Sequence, residues 1–271
     1  FGKRVRVFTE FQSASGSGRN GGPRPTDDDR LEVHQAFLDL KFGDETNSLT
    51  VRVGRHEMDF GSGRLISAGE GLNVRRGFDG MRVIYRHGPW LINGQVNKLV
   101  SIKPGLFNDA PDPSQTFWGV GATRSRPKIR GSHQFAYIAL DRKVGRFDQG
   151  SGREIRHTII ARTYGASVNA AGNFDYNFDT IFQWGRFQSA GREIGIRAWA
   201  LASDVGHTIN RIPLKPRLGL RADATSGDKN PNDQRLQTFN PLFPGTAYSD
   251  TIGLIGAANS LALNTNLRFA V

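Results

Sequence analysis

Gly80-Met81-Arg82-Val83-Ile84-Tyr85-Arg86 alternates apolar and cationic side chains at a period of two. In an extended chain, Met81, Val83 and Tyr85 fall on one face while Arg82 and Arg86 fall on the other. The same alternation recurs in Lys3-Arg4-Val5-Arg6-Val7-Phe8, in Leu49-Thr50-Val51-Arg52-Val53, in Ile194-Gly195-Ile196-Arg197-Ala198-Trp199-Ala200 and in Leu218-Gly219-Leu220-Arg221-Ala222. A series of such strands describes a wall that is apolar on one side and cationic on the other, which suits a water-filled pore through a membrane.

Magnitude decides which side faces where. An arginine facing lipid near the bilayer midplane costs ~2–4 kcal/mol, so the guanidinium groups are expected to point inward. This parity assigns Arg4, Arg6, Arg52, Arg82, Arg86, Arg162, Arg197 and Arg221 to the lumen, with Asp141, Asp179 and Asp223 as balancing carboxylates. Glu10, Asp39, Asp175, Asn93, Gln95, Asn97, Asn177 and Gln183 join the same face. Guanidinium forks bind carboxylates bidentately, and repeated weak sites let a polyanion both enter and leave. The bland alternative is that these arginines form structural ion pairs and fill polar wall positions.

Composition fits a β protein of the envelope. The chain has 271 residues and a formal charge of +11, from 36 Lys and Arg against 25 Asp and Glu. With mean hydropathy −0.45, no segment approaches the ~20 continuous apolar residues of a spanning helix; barrel strands carry only a weak, alternating signal. The basic residues are spread over nearly every strand, without a recognition helix, so nucleic acid is not an expected partner. The absence of cysteine excludes disulfides, thiolate metal sites and cysteine nucleophiles.

Alternation and turn punctuation predict about twelve strands, near 3–11, 31–42, 49–60, 79–87, 89–100, 115–124, 133–144, 154–164, 173–186, 193–204, 214–224 and 261–271. Long loops rich in Gly, Asp, Ser and Pro at 12–30, 61–78, 101–114 and 225–260 alternate with shorter connections at 43–48, 87–89, 165–172 and 205–213. Outer-membrane barrels are built this way, with long loops outside and short turns in the periplasm. The short turn at 187–192, where a long loop is due, breaks the pattern.

Other motifs read as structural. Asp27-Asp28-Asp29 offers hard oxygens suited to calcium, but no further ligands can be identified and the run reads as solvated loop charge. His56-Glu57 and His207 lack zinc partners. Gly61-Ser62-Gly63 and Gly69-Glu70-Gly71 do not open helices, so they read as turns rather than a phosphate cradle. Neither a nucleophile elbow nor a glycosidase carboxylate pair is present. Trp118 and Trp184 suit an interfacial aromatic girdle, with Trp90 and Tyr164 as further aromatics able to stack on sugar. Phe239 to Pro244 suits a packed loop.

Several segments carry a resemblance. They are Gly21-Gly22-Pro23-Arg24-Pro25-Thr26-Asp27 with Asp29-Arg30-Leu31, then His34-Gln35-Ala36-Phe37-Leu38-Asp39-Leu40 and Val53-Gly54-Arg55. Arg64-Leu65-Ile66, Arg76-Gly77-Phe78-Asp79-Gly80-Met81-Arg82 and Arg197-Ala198-Trp199-Ala200-Leu201-Ala202 follow, with Leu218-Gly219-Leu220-Arg221-Ala222-Asp223. Most telling is Thr238-Phe239-Asn240-Pro241-Leu242-Phe243-Pro244, with Gly253-Leu254-Ile255-Gly256 and Asn259 after it. The chain resembles the alginate export family of Gram-negative outer-membrane proteins. The resemblance implies a monomeric barrel of about eighteen antiparallel strands with an electropositive lumen that passes an anionic uronate polysaccharide outward.

The expectation is therefore an all-β, antiparallel up-and-down transmembrane β-barrel, here a partial barrel of about twelve strands, with residues 1–271 as one outer-membrane domain truncated at both ends. It would be a passive channel, not an enzyme, without cofactor or metal. The expected partners are an anionic polysaccharide or small anions, outer-membrane lipid and lipopolysaccharide, and periplasmic secretion proteins. A porin-like channel for small anionic solutes is the alternative in the transport class. A soluble β protein binding acidic glycans is the alternative outside it, and would require polar outward positions at Val83, Ile196 and Leu220.

Overall fold

The computed structural model describes residues 4–69, 72–168, 172–245 and 258–269. Lys3, Glu70-Gly71 and Gly253-Leu254-Ile255-Gly256, named above, lie outside the described residues. Twelve long strands form: β1 (Val5–Ala14), β2 (Asp29–Gly43), β3 (Asn47–His56), β4 (Phe78–His87), β5 (Trp90–Ser101), β7 (Gln115–Arg126), β8 (Gly131–Phe147), β9 (Gly150–Val168), β10 (Gly172–Ser189), β11 (Arg192–Ile209), β12 (Arg217–Thr225) and β14 (Ser260–Arg268). Two short strands, β6 (Ala110–Pro111) and β13 (Arg235–Leu236), pair with β5 and β11.

The long strands run as one meander in which each pairs antiparallel with its neighbour in chain order. β1 and β14 do not pair with each other, so the sheet is open and is consistent with a partial barrel. The all-β reading of the sequence and its strand positions agree with the structure.

Strand length differs, and the difference explains the anomalous short turn. β8, β9, β10 and β11 run for 17, 19, 18 and 18 residues, against the ~9–11 that cross a bilayer. Sequence alternation fades where charges enter at Arg142 and Arg153, yet pairing continues to Phe147↔Gly150 and Ser189↔Arg192. Both tight turns thus sit at the tips of hairpins extending roughly 20 Å beyond the spanning length, at about 3.3 Å per residue. Phe147 meets Phe187 edge-on at 5.1 Å, and Phe187, Ile194, Ile196 and Leu236 form a small buried cluster that supports these tips.

One face of the meander is apolar and uncovered. Met81, Tyr85, Val96, Trp118, Val120, Phe135, Ile159, Phe178, Phe182, Leu201 and Leu220 are exposed on it. So large a continuous apolar surface fits hydrocarbon contact and not water. Toward the extended hairpins it ends in an aromatic band: Trp118 lies 5.3 Å from Tyr137, and His157 lies 5.5 Å from Trp184.

The opposite, inner face is covered by two loops. Phe78, Phe117, Ile138, Leu140, Ile160, Ile181, Ala198 and Ala200 from the strands pack on Met58, Leu65 and Ile66 of the β3–β4 loop and on Phe239 and Phe243 of the β12–β14 loop. Phe243 touches both Phe117 at 5.1 Å and Phe78 at 5.5 Å. The two loops pair with each other, Ser67 N donating to Phe243 O at 2.8 Å and Phe243 N to Leu65 O at 2.8 Å. Arg76 closes the joint by donating from Nη1 to Ser67 O, Phe243 O and Pro244 O. The Phe239–Pro244 segment is therefore a packed plug against Phe78 of β4 and the inner face of β7 to β11.

Candidate functional site

The inner face of β1 to β4 carries the cations. Register places Arg6, Asp39, Arg52 and Arg82 on one line across four adjacent strands, spaced about 4.8 Å apart. Asp39 accepts a bidentate pair from Arg52, Nε at 2.7 Å and Nη2 at 2.9 Å, and lies 4.0 Å from Arg6 Nη1. Arg52 stacks over the Phe37 ring at 3.8 Å, which fixes the guanidinium plane. Arg82 donates to Asn93 Oδ1 at 3.1 Å and has no carboxylate partner among the described residues. Arg4, Lys41 and Arg86 fall on the same face by parity. The row is therefore short of negative charge: it holds three guanidinium groups and one aspartate, which Arg52 and Arg6 share.

A second network joins the sheet to the β3–β4 loop, and here charge is nearer to balance, with three guanidinium groups to two carboxylates. Asp179 on β10 accepts from Arg64 Nη1 at 3.2 Å and from Ser62 Oγ at 2.7 Å, and forms an ion pair with Arg162, whose Nε lies 3.2 Å away and donates to Asn177 Oδ1. Asp223 on β12 receives Arg64 Nη2 at 3.0 Å and Arg221 Nε at 2.7 Å. Arg64 thus bridges two strand carboxylates that are both buried. Two charge-assisted partners per carboxylate compensate the desolvation of each. Nearby, Arg217 binds Asp175 through Nε at 2.9 Å and Asp204 through Nη2 at 3.0 Å.

A third network latches the other loop. Glu154 and Arg156 are fully buried and bond at 2.6 Å; Glu154 also accepts from Arg142 and from Asn240 Nδ2 at 3.0 Å. Gln183 donates to Asn240 O at 2.6 Å and accepts from Asn240 N at 2.9 Å. These bonds satisfy the backbone around Asn240, which could not otherwise be buried inside the sheet.

The sequence-derived residues separate accordingly. Arg4, Arg6, Arg52, Arg82 and Arg86 gather on β1 to β4, while Arg162, Arg221, Asp179 and Asp223 belong to the loop-bound ion-pair chain. Two expectations are corrected. Arg197 does not share the inner face: Ile194, Ile196, Ala198 and Ala200 are buried there, and Arg197 lies with exposed Trp199 and Leu201. The inner wall of β11 is apolar because a plug covers it, which inverts the parity argument, so Ile196 too is inside and not outside. Arg197 sits opposite Trp184 in the register, at the aromatic band, where the lipid cost of a cation falls to ~0–1 kcal/mol. Asp141 is likewise on the outer face, beyond the band, paired with Arg153 at 2.7 Å with both side chains about half exposed.

Arg64, Glu154, Arg156 and Arg217 were not assigned to the inner face from the sequence. Arg217 repeats the period of Arg221, and Glu154 and Arg156 repeat that of Thr158, so alternation could have found them. Arg64 lies in a loop, where no periodic signal exists. Trp118 and Trp184 lie in the outer aromatic band, Trp90 is exposed, and Tyr164 lies inside, its ring 4.8 Å from the Arg162 guanidinium.

No curated protein matches the chain. The model of a family described as alginate export, a family of transporters and not of enzymes, matches residues 1–271, and the chain belongs to the alginate export family of outer-membrane β-barrels.

Proposed function

We propose that the inner face of this sheet lines a channel that passes an anionic polysaccharide of the alginate kind outward across the outer membrane of a Gram-negative bacterium. The supporting observation is the register row Arg6, Asp39, Arg52 and Arg82, with three guanidinium groups and one carboxylate on neighbouring strands. Arg52 lies directly opposite Arg82; like charges in that position repel, and a permeant carboxylate between them relieves the repulsion. Family membership supplies polysaccharide export in general, and the row supplies the preference for an anion.

Because the two loops fill the inner face of β7 to β11 and reach Phe78 on β4, the path runs along the row of Arg6, Asp39, Arg52 and Arg82. Guanidinium groups there replace counterions along the polymer, and Asp39 trims their affinity so that the chain can leave. The arrangement needs no catalytic step. Lipid and lipopolysaccharide meet the outer apolar face, the barrel works as a monomer, and periplasmic secretion proteins deliver the polymer.

The plug narrows the passage, which favours a second reading, a diffusion channel for small anions. Proteoliposomes loaded with uronate oligomers, acetate or phosphate separate the two. Release of uronate oligomers supports polymer export; release of acetate and phosphate alone supports the second reading and overturns the first. The exposed apolar face, Leu220 included, speaks against a soluble glycan-binding protein.

A further inference from the structure

β2 outruns β3: their last register pair is Ala36↔Arg55, which leaves the edge of residues 29–35 without a strand beside it on that side. The loop after β5 fills the gap. Leu106 bridges to Leu31, and Phe107 N donates to Leu31 O at 3.0 Å. Glu32 Oε1 then accepts the backbone N–H groups of Asn108 and, at 3.3 Å, Asp109. This docking brings three carboxylates together. Asp29, Glu32 and Asp109 each offer an oxygen, and the three oxygens lie within 4.8 Å of one another.

Two features set the cluster apart from solvated loop charge. Asp29 is 2% exposed and Glu32 4% exposed, so water does not screen them. Asp29 Oδ1 is buried and accepts no hydrogen bond, an orphan beside two further carboxylates. Arg55 and Lys103 are neighbouring cations, but the Arg55 fork is committed to Asp79 at 2.9 Å through both Nε and Nη2 and reaches Asp109 at the backbone oxygen, 3.2 Å away, while Lys103 donates its backbone N–H to Asp109 Oδ1 at 2.7 Å. An orphaned, buried carboxylate oxygen among like charges costs free energy until a cation or proton meets it.

We propose that Asp29, Glu32 and Asp109 bind one calcium ion that clamps the loop of residues 102–114 onto the start of β2. Calcium takes oxygen ligands at about 2.3–2.6 Å in flexible geometry, so one ion spans oxygens up to roughly 4.8 Å apart. Magnesium needs a tighter octahedron and sheds its water reluctantly, and zinc prefers nitrogen and sulfur. The ligands come from a strand and from a loop about 77 residues further on; of the Asp27-Asp28-Asp29 run only Asp29 takes part. The site lies on the side of the long loops and governs how firmly one of them is held.

The test is calorimetric titration of the detergent-solubilised, chelator-stripped protein with calcium chloride, repeated for Asp29→Asn and Asp109→Asn. Both substitutions keep side-chain shape and relieve charge repulsion, so folding is preserved. The expected result is one calcium per chain, with affinity at least tenfold weaker in each variant and tenfold weaker for magnesium. No saturable heat with calcium, or equal binding by the variants, overturns the site. Hydrogen exchange of the unsubstituted protein reads the same claim independently: calcium should slow exchange at Phe107 and Asn108 relative to chelator, and unchanged exchange contradicts it.

Discussion

Arg64 and Asp223 stand 159 positions apart and meet at 3.0 Å, guanidinium Nη2 to carboxylate Oδ1, inside the sheet. The contact ties the loop after β3 to a strand on the far side of the meander. Because Asp179 and Asp223 keep Arg162 and Arg221, Arg64→Met should release the loop without stranding a buried carboxylate. Single-channel conductance in planar bilayers is expected to rise, with faster proteolysis within residues 57–69. Unchanged conductance would mean that the loop does not occupy the path.

Phe243 anchors the second loop between Phe78 and Phe117. Truncating a buried Phe to Ala typically costs 3–5 kcal/mol, cavity included. Phe243→Ala should lower stability by about that amount in urea unfolding from lipid vesicles. It should also expose the β3–β4 loop, which pairs with residue 243 through two backbone bonds. A loss below ~1 kcal/mol, the range of a surface change, would show that the plug is not packed.

Asp141 and Arg153 pair on the outer face with side chains 47% and 52% exposed. Exposed pairs contribute ~0–1 kcal/mol, so Asp141→Asn should leave both stability and ion selectivity within error. Arg197→Leu should be equally silent in selectivity. A selectivity change in either variant, read from reversal potentials, would return these residues to the pore.

The turn between β2 and β3 is held by a carboxylate. Asp44 Oδ1 accepts from Asn47 N at 2.7 Å, and from Thr46 N and Thr46 Oγ1 at 2.8 Å, which keeps its carboxyl below the ordinary range. A lowered folded value means the stabilisation is present above the unfolded pKa of about 3.9 and is lost as pH falls through the folded value. Asp44→Ala should therefore speed amide exchange at Thr46 and Asn47 at pH 7, and equal exchange in both proteins would contradict the cap.

Much of the meander was legible because alternation is a local signal: residues 79–87 and 115–124 need only their own side chains to declare two faces. Which face is inner was legible where arginines mark it, as at Arg52, Arg82, Arg162 and Arg221. On β11 the inner wall meets Phe239 and Phe243 instead, so Ala198 and Ala200 turn inward and Arg197 outward. No strand-level argument anticipates that, since the covering loops lie tens of residues away. The Arg64 bridge and the Asp29–Glu32–Asp109 group escape the sequence for the same reason: each is assembled by docking of a loop, not by spacing along one strand.

The most direct test of the central claim is the reversal potential of the closed barrel in planar bilayers under a potassium chloride gradient, compared with Arg6→Glu, Arg52→Glu and Arg82→Glu combined. Selection of anions by the row on β1, β3 and β4 predicts a chloride-preferring channel that becomes potassium-preferring in the triple variant. An identical reversal potential before and after substitution would contradict the account.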